Sequence, residues 1–533
     1  PQLLPQGRVV DLERGKGLGG SSCLNYSMWV RGAPQDFDRW SREFGCGEEW
    51  SYAGVLPHFK AIERMLPGEQ LPGRGDAGEL SPRPLWPPLP EVEALKESFR
   101  QNGFEPNGDY NGPDGQAGYG DTQHSVDTSR MRADAFNTFV EPVLRSRPNL
   151  CVASEAYTRR LLFEGTRCTG VEVQLNDGSL VAVPAALEVV LSAGALQSPQ
   201  LLLLSGVGDA QALGKLGIPV VADIPAVGRH LQDHPGLVIP CWQAPEGMKA
   251  EFAEGGGPAG TTGLNGIAFW KSEVDKGRDA KRGSDSGCDM EVIFGSHMEA
   301  GVMVKAFVSK WDNRLGGRLK SGARPWTAKA FVRLGRFSSG VQPVRELLAS
   351  TMNLSTVYNH PLSRGSVTLQ SADPLVPPLV DPGWLRDPSD LDAAVEALRK
   401  MLELMQTAPF SEYLGNIDAI PGIHGFWQKG FQPLFDASDA QLRDIAQRFV
   451  FSTWHYSCTV RMGAPDAPLT EVALDPQLRV RGISGLRVAD QSVTPFVVSA
   501  NTNASSMMIG DKAAKLIMQD HGLGPFREAR SAL

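Results

Sequence analysis

Val189-Val190-Leu191 runs directly into Ser192-Ala193-Gly194-Ala195, and an apolar stretch through Leu201–Leu204 then stops at Ser205-Gly206. β-Branched residues, then small ones, then a helical apolar run read as a buried strand, a tight turn and a helix. That order points to an α/β fold, because the strand needs helices packed on the sheet to bury it. It also brings the free N–H groups of a helix start up to whatever lies above the turn. On its own, such a unit is as often plain scaffold as a ligand site. Ahead of it, Leu161–Phe163, Val171–Leu175 and Leu180–Val183 read as short strands, the last two joined by the hairpin signal Asn176-Asp177-Gly178.

Regular structure is legible from about Asn149 onward. Asp387-Pro388-Ser389 opens a helix whose Leu391, Val395, Leu398, Leu402 and Met405 share one face, the pattern of core packing. Ala504 through Met518 reads as another, with Met507, Met508, Ala513, Leu516 and Ile517 on its buried side and Asn or Thr available as N-caps. Pro67 to Pro90 is proline-rich and reads as extended surface chain, and Leu85-Trp86-Pro87-Pro88 lies within it. From about Pro240 to Gly287 glycine and charge accumulate, including Gly255-Gly256-Gly257. No apolar strand precedes those glycines, so they read as excursions rather than a phosphate loop.

Composition excludes several partner classes. The 533 residues are 41% hydrophobic and 21% charged, an ordinary soluble globular balance, long enough for two large interleaved domains. With 52 basic against 60 acidic residues the net charge is −8, and no basic stripe is present to neutralise the phosphates of a nucleic acid. The basic residues between Lys276 and Arg282 are diluted by Asp279 and read as a solvated loop. Seven cysteines without CxxC spacing imply neither a metal centre nor a disulfide framework. No run of ~18 apolar residues marks a membrane span. The sequence starts at Pro1 without a legible targeting segment, so localisation is not readable from it.

Chemistry concentrates near the C-terminus. Trp454-His455-Tyr456-Ser457-Cys458-Thr459 supplies a histidine among aromatic residues, and Ala500-Asn501-Thr502-Asn503 leads into the last helix. Removing a proton from a bound hydroxyl needs a base for that proton and a hydrogen-bond donor for the oxygen left behind. A neutral imidazole and an amide meet those needs. The positive end of the final helix would favour negative charge lying above it.

Four ordered segments resemble the glucose–methanol–choline (GMC) flavoprotein oxidoreductases over nearly the whole chain. They are Gly19-Gly20-Ser21-Ser22 with Asn25 and Arg31-Gly32; Ser192 through Gly208; Val227-Gly228-Arg229-His230-Leu231-Gln232-Asp233-His234-Pro235, where the family usually has Asn at position 230; and the C-terminal block holding His455, Gly485–Asp490 and Asn501. The resemblance implies an α/β fold with α+β elements: a doubly wound FAD-binding domain (1–32, 145–240, 448–533) and an antiparallel-sheet substrate domain (33–144, 241–447). It also implies His455 and Asn501 as catalytic residues. FAD contacts are implied at Gly19, Gly20, Ser21, Ser22, Asn25, Tyr157, Gly194, Trp454, Asp490, Thr502 and Asn503. Cys23 and Leu24 stand where some members carry a flavin-linking histidine, which implies a non-covalent cofactor.

The family's strand and GxGxxG turn do not occur in this sequence. The expectation is therefore an N-terminally incomplete FAD domain, with an apolar gap in its sheet and weakened or abolished FAD binding. The activity implied is oxidation of a small-molecule alcohol to an aldehyde or ketone, with hydride passing to flavin N5 and O2 or a quinone as the final acceptor. Hydroxynitrile lyase, photodecarboxylase and an inactive relic remain alternatives on the same scaffold.

Overall fold

The computed structural model describes residues 2–3, 9–10, 12–85, 90–242, 264–295, 351–413 and 435–523. Trp86-Pro87-Pro88 and Gly255-Gly256-Gly257 lie outside those residues.

Three helices of nine residues or more precede the region where the sequence first shows regular structure: α1 (Pro34–Arg42), α2 (Tyr52–Ile62) and α3 (Pro90–Gln101). They are short and carry prolines, Pro34 and Pro90 as first residues and Pro57 within α2, which blurs the helical period. α1 starts cleanly because Asp36 Oδ2 accepts the Ala33 N–H at 3.1 Å. Its Phe37 and Trp40 pack edge-on against each other and against Phe59 and Trp50. Of the proline-rich stretch, residues 67–72 are exposed as surface chain, whereas Arg74, Leu80, Ser81, Arg83 and Leu85 are buried.

The strands that frame the site are β1 (Gly118–Asp121), β2 (Tyr157–Glu164), β3 (Arg167–Gln174), β4 (Leu180–Pro184), β5 (Val189–Leu191), β6 (Pro235–Trp242), β7 (Leu264–Trp270), β8 (Met290–Gly295), β9 (Thr351–Tyr358), β10 (Phe451–Ser452) and β11 (Leu486–Val488), beside several two- and three-residue strands. β2-β3-β4 is an antiparallel meander, and Gln174 opposes Leu180 across the Asn-Asp-Gly turn as the sequence implies. β5 pairs in parallel with β11, Leu191 beside Val488. Among the described residues β5 has no other strand partner, and Val190 is 39% exposed, so this strand is only partly buried.

A six-stranded antiparallel sheet, ordered β10-β6-β9-β8-β7-β1, forms the second layer system. One face sends Leu237, Ile239, Ala268, Val292, Phe294 and Leu354 into a cluster with the helices. The other sends Ile267, Phe269, Ile293 and Val357 into the large core that also contains Trp29 and Trp40. Alternation along each strand produces both faces.

The other helices of ten residues or more are α4 (Gly194–Leu204), α5 (Glu273–Arg282), α6 (Pro388–Gln406), α7 (Asp439–Phe449) and α8 (Asn503–Asp520) among the described residues. α6 is capped by Asp387 and buries Val395, Leu398, Leu402 and Met405 as their spacing requires. The basic stretch 276–282 is helix α5 and not a loop. Ser272 caps its start, Gly283 at φ 72° ends it, and Lys276, Arg278 and Arg282 each pair with an acid three residues earlier. α7 begins with a Ser438/Gln441 capping box that the sequence also carries. In α8 Met508 and Ala513 are buried while Met507, Leu516 and Ile517 are half-buried.

Candidate active site

Three loops converge where β6 meets β10. Pro235 pairs with Ser452 and Gly236 with Phe451, so the residues just before β6 face those just after β10. The segment Gln232-Asp233-His234 then fastens both partner loops. Gln232 Oε1 accepts from Val497 N at 3.1 Å and from Cys458 Sγ at 3.3 Å. Asp233 Oδ1 accepts the His455 backbone N–H at 2.8 Å, while its Oδ2 accepts from Ser452 Oγ at 2.6 Å and Trp384 Nε1 at 3.2 Å. Burial pushes the Asp233 carboxyl up to about 7 despite those donors and the Arg14 charge. The loop it holds is bent, with Trp454 at φ 60° and Cys458 at φ 72°, a left-handed conformation that non-glycine residues seldom adopt. Arg14 braces it further by donating to the Trp454 carbonyl at 2.9 Å.

His455 and Asn501 meet at the centre. Asn501 Nδ2 lies 3.4 Å from His455 Nε2, and Asn501 Oδ1 has no hydrogen-bond partner. On the other side of the imidazole, Nδ1 lies 2.9 Å from His234 Nδ1 and 3.1 Å from Thr453 Oγ1. Burial, followed by the Arg14 charge, lowers His455 to about 3, so its ring is neutral. The two histidines pack edge to face, ring centroids 5.0 Å apart. Motif order in the sequence marked Gln232-Asp233-His234 but assigned the three residues no role. Their joint placement beside Pro235 and β6 was the available signal.

The loop leading to Asn501 is anchored separately. Asp36 accepts Ser499 N at 2.7 Å and Ser499 Oγ at 3.0 Å, and His360 Nε2 lies 2.7 Å from the same hydroxyl. His360 Nδ1 is 2.8 Å from Asp275 Oδ2. Since the Ser499 proton goes to Asp36, the hydroxyl accepts from His360, which therefore donates from both nitrogens. Burial opposes that charge, but Asp275 and Asp36 outweigh it and raise His360 to about 9. A histidine raised from near 6.5 stabilises the fold fully below that value and loses the contribution as pH rises through about 9. Wild type is therefore expected to lose up to about 3 kcal/mol more than His360→Gln between those pH values, measured by urea unfolding. Asp233 and Glu291, the latter pushed to about 8 by burial, titrate in the same direction, so the difference between the two proteins isolates His360.

The other residues singled out in the sequence fall into three groups. In the first, Gly19 at φ 87° precedes a single turn of tight helix, Ser22 Oγ donates to Gly19 O at 2.6 Å and accepts Ala135 N at 2.9 Å, and Ser21 Oγ accepts Gly15 N at 3.1 Å. Gly20 opens that turn, and Asn25 Oδ1 accepts from Ser27 N and Arg132 Nη1. In the second, Asp490 Oδ2 accepts Gly194 N at 2.8 Å and the Ser198 hydroxyl, tying the end of β11 to the start of α4. The third holds Thr502 and Asn503 at the head of α8, where Asn503 Nδ2 is buried without a partner, as is Trp454 Nε1. Thr502 is the N-cap residue but makes no side-chain cap bond. Tyr157 is 39% exposed and donates its hydroxyl to Pro374 O at 2.6 Å. His230, where the resemblance expects Asn, sits at φ 61°, a conformation Asn tolerates best after glycine. Among the described residues no group of three or more His, Cys, Asp or Glu is arranged to hold a metal ion, and no helix is long and apolar enough to cross a membrane.

Comparison with known proteins agrees with this architecture. Two sequence models, both described as GMC oxidoreductase, match residues 5–236 and 361–510. The oxygen-dependent choline dehydrogenase of Brucella suis biovar 1 is 32% identical over 527 residues, covering 98% of this chain and 84% of that protein. Its counterpart from Rhizobium johnstonii is 32% identical over 535 residues, covering 100% of this chain and 85% of the relative. Among solved structures, formate oxidase of Aspergillus oryzae RIB40 superposes with a TM-score of 0.74 at 23% identity, covering 96% of this chain and 85% of that one. Pyridoxine 4-oxidase superposes at 0.73 and 23%, covering 98% and 88%. At that identity the two structures are alike in fold.

Proposed function

The chain belongs to the GMC oxidoreductase family, and from that premise we propose that it oxidises an alcohol to an aldehyde or ketone, with His455 receiving the hydroxyl proton and Asn501 holding the oxygen. At class level it is an FAD-dependent oxidoreductase acting on CH–OH donors. The observation that carries the finer reading is the 3.4 Å approach of Asn501 Nδ2 to His455 Nε2 between two buried loops. A neutral ring can accept a proton, and an amide beside it can donate to the oxygen as negative charge grows there. The Asp233 carboxyl bonds the His455 backbone and not its ring, so it fixes the position of the base without changing its charge.

The residues at hand fit FAD. Unpartnered buried polar atoms lie on Trp454, next to His455, and on Asn501 and Asn503 at the head of α8, whose free N–H groups suit an anionic ring system. Gly19, Gly20, Ser21, Ser22 and Asn25, with Gly194 and Asp490, would hold the remainder of the cofactor, and Trp454, Thr502 and Asn503 its reactive end. Tyr157 is retained as an outer contact. FAD supplies the hydride acceptor. Attachment without a covalent bond is consistent with Cys23, whose thiol donates to Leu18 O, and Leu24, which is 67% exposed. O2 or a quinone would accept the electrons. The sequence relatives named above are two oxygen-dependent choline dehydrogenases, which favours oxidation over the lyase and photodecarboxylase readings.

Anaerobic titration of the FAD-loaded full chain with choline, benzyl alcohol and 1-butanol tests this. Bleaching of the oxidised flavin band by at least one alcohol is expected. Bound FAD that none of them reduces would overturn alcohol oxidation as the activity.

A further inference from the structure

His234 and His455 present their Nδ1 atoms to each other at 2.9 Å, and both rings are held neutral by burial. Two neutral imidazoles in that arrangement share one proton: one nitrogen carries it and the other accepts. Which of them carries it decides whether His455 can be a base at Nε2.

The neighbours decide the matter. Thr453 Oγ1 lies 2.9 Å from the His234 carbonyl, which can only accept, so the threonine proton is used there. Towards His455 Nδ1, 3.1 Å away, the hydroxyl then offers only a lone pair, and it suits an N–H on His455. At the opposite edge Asn501 presents its amide nitrogen to His455 Nε2, which suits a lone pair on Nε2.

His234 completes the pattern. Its Nδ1 is turned to His455, and its Nε2 makes no hydrogen bond of good geometry. The backbone carbonyls of Asn359 and Val498 nevertheless act on the ring in the sense that favours a proton. A proton on His234 Nε2 leaves its Nδ1 as the acceptor. The reverse tautomer sets an N–H against the Asn501 amide donor and a bare His455 Nδ1 against the Thr453 Oγ1 lone pair. Turning the Asn501 amide over relieves the first conflict and not the second.

We propose that His234 is a positioning residue that locks His455 as its Nδ1–H tautomer, so that the Nε2 lone pair faces Asn501 and the reacting hydroxyl. The inference rests on His455 being the base. In the proton step the substrate O–H bond breaks, an Nε2–H bond forms, and the Nδ1 proton remains in its hydrogen bond to His234. A neutral acceptor there also disperses the positive charge that forms on His455.

Two measurements on the FAD-loaded full chain test the proposal. The first is ¹⁵N NMR of the ring nitrogens, with the His455 signals assigned by their loss in His455→Ala. A protonated Nδ1 and a proton-free Nε2 on His455 are expected, and the opposite tautomer overturns the proposal whatever the activity. The second is anaerobic flavin reduction by whichever of choline, benzyl alcohol and 1-butanol bleaches fastest. His234→Leu, with no acceptor, is expected to lower the limiting rate on the order of 10²-fold with the half-saturating concentration nearly unchanged. His234→Asn, whose side-chain oxygen takes the place of Nδ1, is expected to stay within roughly tenfold of wild type. Equal losses in the two variants, or none in His234→Leu, overturn the proposal. If His455→Ala reduces the flavin at the wild-type rate, it is the parent reading that fails. Should His234→Leu not fold, the NMR result and His234→Asn still decide.

Discussion

Replacing His455 with alanine is expected to slow anaerobic flavin reduction by an alcohol on the order of 10²-fold or more, at unchanged FAD content. The size follows from what is removed. His455 is the ring that faces the Asn501 amide, and the ring behind it, His234, is turned away with its Nδ1 towards His455. No carboxylate bonds the His455 ring among the described residues, since Asp233 is occupied by the backbone N–H, Ser452 and Trp384. Once His455 is gone, the hydroxyl proton has no positioned acceptor. Cofactor content is a fair control because the loop is held by Asp233 and Arg14 through main-chain atoms that alanine retains. Stopped-flow absorbance at the oxidised flavin band reads the rate, and a variant within threefold of wild type would remove His455 from the reaction.

The largest loss of stability is expected from Glu63→Gln, about 3–5 kcal/mol by urea unfolding. Glu63 is fully buried between two equally buried guanidiniums, Arg31 and Arg74. Its Oε1 accepts from Trp29 Nε1 and Arg31 Nε, each at 2.8 Å, and its Oε2 from Arg31 Nη2 at 2.5 Å and Arg74 Nε at 2.8 Å. Glutamine preserves the volume but leaves the charge of Arg31 uncompensated, while Arg74 keeps Asp109. Burial by itself raises the Glu63 carboxyl, but Arg31 and Arg74 outweigh it and hold the group below the ordinary glutamate range. A depressed carboxyl stabilises the fold above its unfolded value near 4.3 and loses that contribution as pH falls towards its folded value. The variant should accordingly show a shallower acid dependence as well as the lower stability. A loss under about 1 kcal/mol would mean that water or rearranged neighbours replace the carboxylate. The consequence reaches the site, since Arg31 precedes α1, whose Asp36 holds Ser499 and hence the approach to Asn501.

Local chemistry explains which elements were legible in the sequence. The β3–β4 hairpin follows from Asn-Asp-Gly, α4 from the small-residue turn after β5, and α6 from Asp387 and a regular apolar stripe. Where local signals are diluted the reading failed: α1 and α2 are short and proline-bearing, and α5 is so rich in charge that it resembled a loop until its Ser272 cap and Gly283 stop are considered. In the site, His455 and Asn501 were legible as a motif. Tyr157, assigned by position alone, lies at the surface with its hydroxyl on Pro374.

The sequence by itself determined the family, the class of chemistry and the identities of the two central side chains, because these reside in ordered motifs and residue types. Tertiary structure alone decided how they are held. His234 and His455 are 221 residues apart and meet only because β6 and β10 pair in one particular register. A shift of one residue would turn every side chain of the strand to the opposite face, and no local propensity specifies that register. The ring tautomer, the neutrality of His455 and the charge on His360 likewise arise from desolvation and from neighbours brought in by the fold. They are properties of the assembled site.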